Sequence, residues 1–290
     1  MAFLDDMDPA TGLIVGDGAK ARGEALSERY NAAAPFPHIV IDDFLPPPIL
    51  AMCLREFTPE GQDDARQYNR AQERLKREYK PDQMSPGPRN LFYTFNSRPF
   101  IQLIQAITGI KGLIPDPYFS GGGFHEISNG GHLSMHADFN HHVLMNLERR
   151  LNVLIYLNDG WEDSYGGQLE LWDEQMGACV QSIVPILNRC VIFNTTSTSY
   201  HGNPHPVQHP AGITRKSIAL YYYTATWDGT RRRHTTQFKP RPGSADKPDT
   251  QVRLRELIED VTPPALLRGT RRLLHSLRGG GGKSGGTAAD

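Results

Sequence analysis

A histidine and an aspartate stand two residues apart in the run SNGGHLSMHADFN, as His136 and Asp138. If this run is a β-strand, alternate side chains leave the same face, so the imidazole and the carboxylate can reach one metal ion. A third ligand must then come from a strand that is adjacent in space. The best candidate is His201, just after the apolar run RCVIF, and His205 is its main rival.

Two histidines and one carboxylate form a facial triad, which leaves three positions of an octahedral ion open and suits non-haem Fe(II). Zinc prefers a closed or nearly closed tetrahedron, and calcium requires more oxygen ligands. A His-x-Asp pair alone is a weak signal, because it occurs often by chance and is more often a surface turn or a core histidine. The triad therefore predicts an iron site only in combination with further partners.

Open positions on the metal imply a co-substrate, and Arg215 begins an apolar run fourteen residues after His201. Its guanidinium can bind a carboxylate through two parallel hydrogen bonds. Ser217 shares the face of Arg215 on a strand and can add a hydroxyl donor. Asn152 and Tyr156 share a strand face by the same alternation and can line the pocket, although a turn-proximal asparagine at a strand start is an equally good interpretation.

The elements that position these residues change character at Gly121. From there, seven short runs rich in β-branched and aromatic residues are separated by Gly, Asn, Asp and Pro, with no long helix between them. Together with an earlier strand they make about eight, the number of a jelly roll. We therefore predict a mainly β fold with flanking α-helices.

The part of the chain before Gly121 contains the flanking helices and the early strand. Proline is tolerated in the first turn of a helix, so the prolines at 46–48 predict the start of one of them. The predicted elements are helices over 19–33, 46–57 and 100–107, a strand from His38 to Ile41, and an exposed helix and loop in the charged residues 60–90.

The ordered set of motifs resembles the Fe(II)/2-oxoglutarate dioxygenases of the prolyl 4-hydroxylase-like superfamily, over residues 35–227. The resemblance implies a double-stranded β-helix, that is, a jelly roll of the cupin-like type. It also implies that His136, Asp138 and His201 bind Fe(II), that Arg215 binds the 2-oxoglutarate carboxylate, and that ascorbate is an additional cofactor. The matching segments are FPHIVIDDFLPP, GGHLSMHAD, RRLNVLIYLND with GGQLELW, VIFN with SYHG, and RKSIALYYYT.

The chain departs from this family at several positions. The prolyl hydroxylases proper have a lysine in place of Arg215, and their tyrosine upstream of the His-x-Asp motif falls near Ile127. Their threonine four residues before the strand tyrosine is Asn152 here. Related halogenases have a small residue at the position of Asp138, so this carboxylate favours hydroxylation, or another two-electron oxidation, over halogenation.

The resemblance implies a dioxygenase that hydroxylates an unactivated C–H bond of a peptidyl residue (prolyl-type) or of a small metabolite, with release of succinate and CO2. Two other functions remain open from the residues alone. One is a non-catalytic jelly-roll protein that binds a metal or a sugar, and the other is a metal-dependent hydrolase on a cupin-like barrel. Arg215 argues against the binder, which needs no cation for a co-substrate. The hydrolase should work without oxygen and survive replacement of Arg215.

Composition limits the partners and the compartment. The formal net charge of -1 gives no reason to expect nucleic acid as a partner. Three cysteines without a Cys-x-x-Cys pair make a disulfide framework improbable and fit the cytoplasm. No apolar run approaches the roughly eighteen residues of a membrane span. The predicted division is a lead-in (1–34), an oxygenase domain (35–227), a basic, partly helical C-terminal extension (228–278) and a disordered tail (279–290).

Overall fold

The computed structural model describes residues 1–57 and 65–250, and residues 1–248 form one compact unit. The helical stretch predicted after residue 250 and the tail predicted for 279–290 lie outside the described residues. Within the described ranges, no helix has the length and apolar character needed to cross a membrane. The helices are α1 (Ala19–Glu24), α2 (Ser27–Asn31), α3 (Pro47–Glu56), α4 (Pro86–Phe95) and α5 (Arg98–Thr108).

Local chemistry explains where the longer helices begin and end. Helices α3, α4 and α5 each have a proline in the first turn, where its missing N–H costs no hydrogen bond. Helix α5 ends at Gly109, which has a φ of 73° and adopts the left-handed conformation that closes many helices. The helices predicted over 46–57 and 100–107 are confirmed as α3 and α5.

The described strands belong to a single hydrogen-bonded sheet. The strand predicted from His38 to Ile41 is confirmed with those bounds. The strands are β1 (His38–Ile41), β2 (Arg66–Tyr68), β3 (Glu73–Tyr79), β4 (Ile114–Pro115), β5 (Gly123–Ala137), β6 (His141–His142), β7 (Leu147–Tyr156), β8 (Leu169–Trp172), β9 (Cys179–Ile183), β10 (Cys190–Asn194), β11 (His201–Asn203), β12 (Arg215–Thr224) and β13 (Gln237–Phe238).

The long strand β5 joins the two halves of the sheet. The order of the main path is β1-β10-β7-β12-β5-β11-β8-β9. The first half of β5 pairs with β12, and its second half pairs with β11, both antiparallel. The sequence runs GFHEIS and HLSMHA, predicted as two strands, are therefore one strand, with Gly130 at a φ of 78° between them. The arrangement confirms the predicted double-stranded β-helix.

The two faces of β7 show why the second half of this strand is mostly apolar. Leu151, Val153 and Ile155 pack in the core that also contains the buried faces of the helices. The alternate residue Tyr156 packs in a second core cluster with Val191 and other side chains between the two halves of the sheet. A strand buried on both faces has no solvated side to interrupt its hydrophobic pattern.

Residues 65–79, the described first part of the segment 60–90, form strands and not the exposed helix and loop predicted from its charges. Strand β3 pairs with β5 over most of its length, and β2 pairs with β3. Several of the charged side chains are buried because they neutralise one another: Lys76 Nζ lies 2.9 Å from Glu73 Oε1, and both are below 10% exposure. Charge density alone did not reveal this segment as a strand, since the compensating partners lie within it.

Candidate metal centre

The three predicted metal ligands come together at one end of the barrel. His136 is near the end of β5, Asp138 follows β5 directly, and His201 begins β11. The antiparallel register places His201 opposite His136, and the two ring centroids are 4.4 Å apart. One potential ligand atom from each of the three residues can be chosen so that all lie within 4.8 Å of one another. This spacing fits coordination of a single ion.

Gly202 allows the close approach of the two strands that carry the histidines. A Cβ atom at this position would lie 2.8 Å from the Leu133 carbonyl oxygen and 2.9 Å from that of Ser134. Only glycine avoids both clashes without moving β11 away from β5. The glycine after the distal histidine in SYHG therefore has a steric role in assembling the triad.

Backbone carbonyl groups fix the orientation of both imidazole rings. His136 Nδ1 lies 2.9 Å from the Ser134 carbonyl oxygen, and His201 Nδ1 lies 3.0 Å from that of Ser199. With Nδ1 as the protonated donor, the lone pair of each ring is on Nε2. The two Nε2 atoms face Asp138, at 3.6 Å from Oδ1 for His136 and 3.4 Å from Oδ2 for His201. The donor set therefore points inward, as a metal site requires.

The electrostatic environment keeps Asp138 and His201 in the protonation states that bind metal. Burial acts to raise the pKa of Asp138, but the charge of Arg149 and the adjacent histidines outweigh it and hold this pKa well below its usual range. Burial, reinforced by the neighbouring His136, lowers the pKa of His201 to about 4. At neutral pH the site thus presents a carboxylate and a neutral imidazole, the forms that coordinate a cation.

Arg149 and Asn152 support the carboxylate ligand. Asn152 Nδ2 donates to Asp138 Oδ2 at 2.8 Å, and an Arg149 terminal nitrogen lies 3.0 Å from the same oxygen. The Asn152 side-chain oxygen in turn accepts a 2.7 Å hydrogen bond from Arg149. Asn152 was predicted as a co-substrate donor, whereas the structure places its amide on the metal-ligand carboxylate. The buried Arg149 was not identified from the sequence.

Replacing Asn152 by alanine is expected to weaken Fe(II) binding by about 10- to 100-fold, the usual cost of removing a group that orients a metal ligand. Asp138 would lose one of the two donors that hold its Oδ2. Anaerobic Fe(II) titration of the wild type and the variant measures the effect. Asn140→Ala, which removes a half-buried amide bonded to a backbone carbonyl and a backbone N–H, is the control. Equal Fe(II) affinity of a folded Asn152→Ala variant would show that the contact does not support the site.

A second group of predicted residues lies deeper in the barrel. Arg215 and Ser217 are buried on β12, and Ser217 is directly opposite Tyr156 on β7. The guanidinium carbon of Arg215 lies 5.0 Å from the centre of the Tyr156 ring. Arg215 Nε donates to the Gly167 carbonyl at 2.7 Å. Three of the four predicted co-substrate residues, Arg215, Ser217 and Tyr156, are thus together, and Asn152 contacts the triad instead.

Arg215 and Tyr156 both have unused hydrogen-bonding capacity. None of the ion pairs found in residues 1–57 and 65–250 involves Arg215, although its side chain is only 5% exposed. The Tyr156 hydroxyl is buried beside the Arg215 guanidinium and has no other hydrogen-bond partner in the same part of the chain. Burial raises the pKa of Tyr156, so its hydroxyl remains protonated and able to donate. A buried cation without an acidic partner, next to a buried hydroxyl donor, indicates a pocket for an anion.

Gly167, the second glycine of the GGQLELW segment, makes room for Arg215. It has a φ of 71°, and a Cβ atom there would lie 2.8 Å from Arg215 Cδ and 3.1 Å from Nε. The carbonyl of the same residue holds the guanidinium through Nε. The predicted Gly-Gly motif thus positions the arginine, a role that its spacing alone did not reveal.

The Gly167→Ala variant is expected to bind 2-oxoglutarate about tenfold more weakly with unchanged Fe(II) affinity, because the new methyl group displaces the guanidinium. Gly160→Ala is a matched control, since Gly160 has a similar φ of 61° and open space around its Cβ position. Anaerobic 2-oxoglutarate titration of the iron-loaded proteins compares the two. The steric role would be refuted if both variants bound the co-substrate as the wild type does.

The remaining histidines lie outside the metal cluster. The rival ligand His205 is 63% exposed in its side chain and contacts Glu170 at 3.4 Å. His132 contacts the Ala71 carbonyl, whereas His141, His142 and His209 are buried rather than on the surface. Among the aromatic residues, Phe139 follows Asp138 and lies under the guanidinium of Arg149, whereas Phe95 is in the helix-facing core.

Strand β13, which follows the predicted domain, reaches the metal centre. Gln237 and Phe238 pair with the end of β5, and the Phe238 ring centroid is 5.5 Å from that of His136. Lys239 continues this pairing through a 2.9 Å backbone hydrogen bond to Met135. The basic segment after residue 227 thus contributes an apolar wall beside one metal ligand. The predicted domain boundaries themselves stay a prediction.

Comparisons with known proteins agree with the motifs. Residues 122–223 match the 2OG-Fe(II) oxygenase superfamily. A prolyl hydroxylase from Trichoplax adhaerens, solved with a hypoxia inducible factor peptide fragment, is similar in structure, with 20% identity, a TM-score of 0.50, and coverage of 71% of this chain and 90% of that one. A Pseudomonas putida prolyl-4-hydroxylase has 16% identity and a TM-score of 0.48, with coverage of 70% and 98%. The comparison with curated proteins gave no match.

These results connect the site to a family. The matched segment contains the first two triad residues on and after β5, the third on β11, and Arg215 on β12. The likeness to the Trichoplax structure concerns the fold, and the triad and its open donor set add the chemistry. Residues 122–223, which carry this metal centre, belong to the 2OG-Fe(II) oxygenase superfamily, whose members use Fe(II) and 2-oxoglutarate.

Proposed function

We propose that this chain is a dioxygenase that hydroxylates an unactivated C–H bond, either of a peptidyl residue of the prolyl type or of a small metabolite. The observation that carries the proposal is the buried Arg215, which has no acidic partner among the described residues. An unpaired buried cation is costly, so the native site calls for an anion. The distal carboxylate of 2-oxoglutarate supplies that anion while its keto acid end reaches the metal.

Two groups of residues act at the two ends of the pocket, one on the metal and one on the co-substrate carboxylate. His136, Asp138 and His201 would hold Fe(II) on one face and leave the opposite positions open. Arg215 would bind the distal carboxylate through its planar fork, and Tyr156 and Ser217 would add hydroxyl donors. With 2-oxoglutarate and dioxygen, the bound iron supplies the oxidising power that hydroxylates the substrate and yields succinate and CO2. The buried walls keep water away from this chemistry.

The alternative functions do not require all of the groups found at this site. A jelly-roll binder of a metal or sugar needs no buried arginine next to an unpartnered tyrosine hydroxyl, and a metal-dependent hydrolase works without a co-substrate carboxylate. Arg215 and Tyr156 together therefore favour the oxygenase. Within the oxygenases, the carboxylate at Asp138 favours hydroxylation over halogenation, since it occupies the coordination position that a halide needs.

An anaerobic titration with Fe(II) and 2-oxoglutarate tests the proposed cofactors. We expect a visible metal-to-ligand charge-transfer band, followed on admission of oxygen by slow release of succinate even without substrate. A hydrolase would act without oxygen, and a non-catalytic binder would release no succinate. Absence of the band from the folded wild-type protein would contradict the proposal.

The substrate class needs its own experiment. The Trichoplax protein is a prolyl hydroxylase solved with a peptide, which makes peptidyl proline the first class to test. We expect stimulated succinate release and a gain of one oxygen atom in proline-containing peptides, measured by mass spectrometry against matched alanine peptides. Gain of oxygen only in small metabolites would select the other class. The use of ascorbate and a cytoplasmic location stay predictions.

A further inference from the structure

His125 belongs to a row of side chains that crosses four strands of the barrel. On β5, His125 is opposite Ser217 of β12 and opposite Glu78 of β3. Ser217 is in turn opposite Tyr156 of β7. Directly opposed residues of antiparallel strands extend their side chains to the same face of the sheet. His125 therefore lies on the same face as Ser217 and Tyr156.

The same face carries Arg215. It is two residues from Ser217 along β12, and alternate side chains of a strand share a face. The guanidinium of Arg215 lies against the Tyr156 ring, at 5.0 Å from its centre. His125 thus lies on the sheet face that carries the residues assigned by the proposed function to the distal carboxylate of 2-oxoglutarate, although it was not singled out for this role from the sequence.

One nitrogen of the His125 ring is bound and the other is not. The imidazole has a hydrogen bond with the backbone of Gly121. Its Nε2 atom is buried and lacks any partner in the described part of the chain, and the residue is 7% exposed. A buried polar atom without a partner is rare in native proteins and commonly marks the place of a missing ligand. The Tyr156 hydroxyl, buried in the same row, is the second such atom.

Of the cations near His125, Arg215 has no acidic partner among the described residues. From β3, Glu78 is opposite His125, and the charges of Lys76 and of Lys80 after the strand act on its ring. These lysines are paired with Glu73 and Glu78 respectively. From β12 and β7 come Arg215, Ser217 and Tyr156, none of which is acidic. Burial, then the charges of Lys76, Lys80 and Arg215, lowers the pKa of His125 well below its usual value. The ring is therefore neutral until a negative charge enters beside it.

We propose that His125 is a further binding residue for the distal carboxylate of 2-oxoglutarate, and that its imidazole takes up one proton from solvent when the co-substrate binds. In the free protein, Nδ1–H donates to Gly121 and Nε2 has a lone pair. In the complex, Nε2 is protonated and donates to the carboxylate, while the Nδ1 bond remains. No electron transfer is involved. This inference rests on the proposed function, since it concerns the same pocket.

Proton uptake determines the sign of the pH dependence. A proton taken up on binding makes the association constant rise as the pH falls. Between the pKa of free His125 and its higher pKa in the complex, affinity should fall by up to about tenfold per pH unit as the pH increases. Arg215 stays charged throughout this range and contributes no such dependence.

Calorimetric titration of 2-oxoglutarate into the anaerobic, iron-loaded protein measures the proton directly. Repeating the titration at one pH in buffers of different ionisation enthalpy gives the number of protons taken up. We expect uptake approaching one proton in the wild type near pH 6.5 and none in His125→Gln, which retains an N–H donor but cannot titrate. The variant should also bind about tenfold more weakly at that pH, since it loses a charged hydrogen bond. His205→Gln, an exposed histidine, should behave as the wild type.

Two results would overturn the inference. One is the absence of proton uptake by the wild type together with affinity that does not vary from pH 5.5 to 8, a measurement that needs no variant. The other is uptake by a folded His125→Gln protein equal to that of the wild type. Either result with the charge-transfer band intact refutes only the role of His125, whereas loss of the band from the wild type refutes the proposed function.

Discussion

Replacing His201 by alanine is expected to abolish the charge-transfer band formed with Fe(II) and 2-oxoglutarate. His201 Nε2 faces Asp138 from β11, and the two ligands on and after β5 cannot close the facial triad alone. Removing a group that merely orients a ligand costs about 10- to 100-fold in metal affinity, so loss of the ligand itself should exceed about 100-fold. Anaerobic titration and oxygen-dependent succinate release both measure the loss.

His205→Ala is the matched control, because it removes the histidine that sequence alone left as the rival ligand. Its ring is in contact with Glu170 and Arg241, and its side chain is largely exposed. We expect a normal band and normal succinate release from this variant. The assignment of His201 would be wrong if His205→Ala lost the band and His201→Ala retained it. His136→Ala should behave like His201→Ala.

The strand pattern and the triad were predictable because each depends on local chemistry. A spacing of two residues places His136 and Asp138 on one face of any strand, and β-branched runs between turn residues predict strands whatever their partners. His201 could be chosen because it follows a strand closely and has glycine after it. That glycine permits the approach of β11 to β5, so the motif has a physical reason that holds in the structure.

Arg149 was not predictable, because an irregularity in the pairing of β7 with β12 changes which residues face inward. Regular alternation from Asn152 assigns Arg150 to the inner face. The register shifts between Tyr222 and Tyr223, so that Tyr223 pairs with Arg149. A shift of one residue exchanges the two faces of a strand. The residue that supports the metal carboxylate was therefore placed outside by the sequence pattern.

Strand β3 and His125 were missed for a related reason, since both depend on partners far away in the sequence. The charges of β3 suggest a solvated surface until Lys76 is seen to pair with Glu73 inside the sheet. The distance of His125 from the triad in the sequence predicts no shared role. Its relation to the pocket appears only in its position opposite Ser217. Cross-strand registers of this kind are tertiary information that periodicity does not contain.

Replacing Arg215 by alanine is expected to weaken 2-oxoglutarate binding by about 100-fold while leaving Fe(II) affinity unchanged. The guanidinium is the one buried cation of this pocket that no carboxylate of the described chain neutralises. Removing one side of a buried charged hydrogen-bonded pair costs about 2–5 kcal/mol, and about 100-fold corresponds to the lower part of that range. The visible band, titrated with 2-oxoglutarate, reports the affinity.

Two further variants distinguish the effect of the guanidinium geometry of Arg215 from the effect of its charge. Arg215→Lys keeps the charge but not the two parallel donors, so we expect an affinity between those of the wild type and Arg215→Ala. Lys216→Ala removes the adjacent cation, which lies on the opposite face over the ring of Phe57, and should bind as the wild type does. Unchanged 2-oxoglutarate affinity in Arg215→Ala would show that this cation does not bind the co-substrate. Because the triad alone describes any facial metal site, it is the loss at Arg215 that would assign the co-substrate.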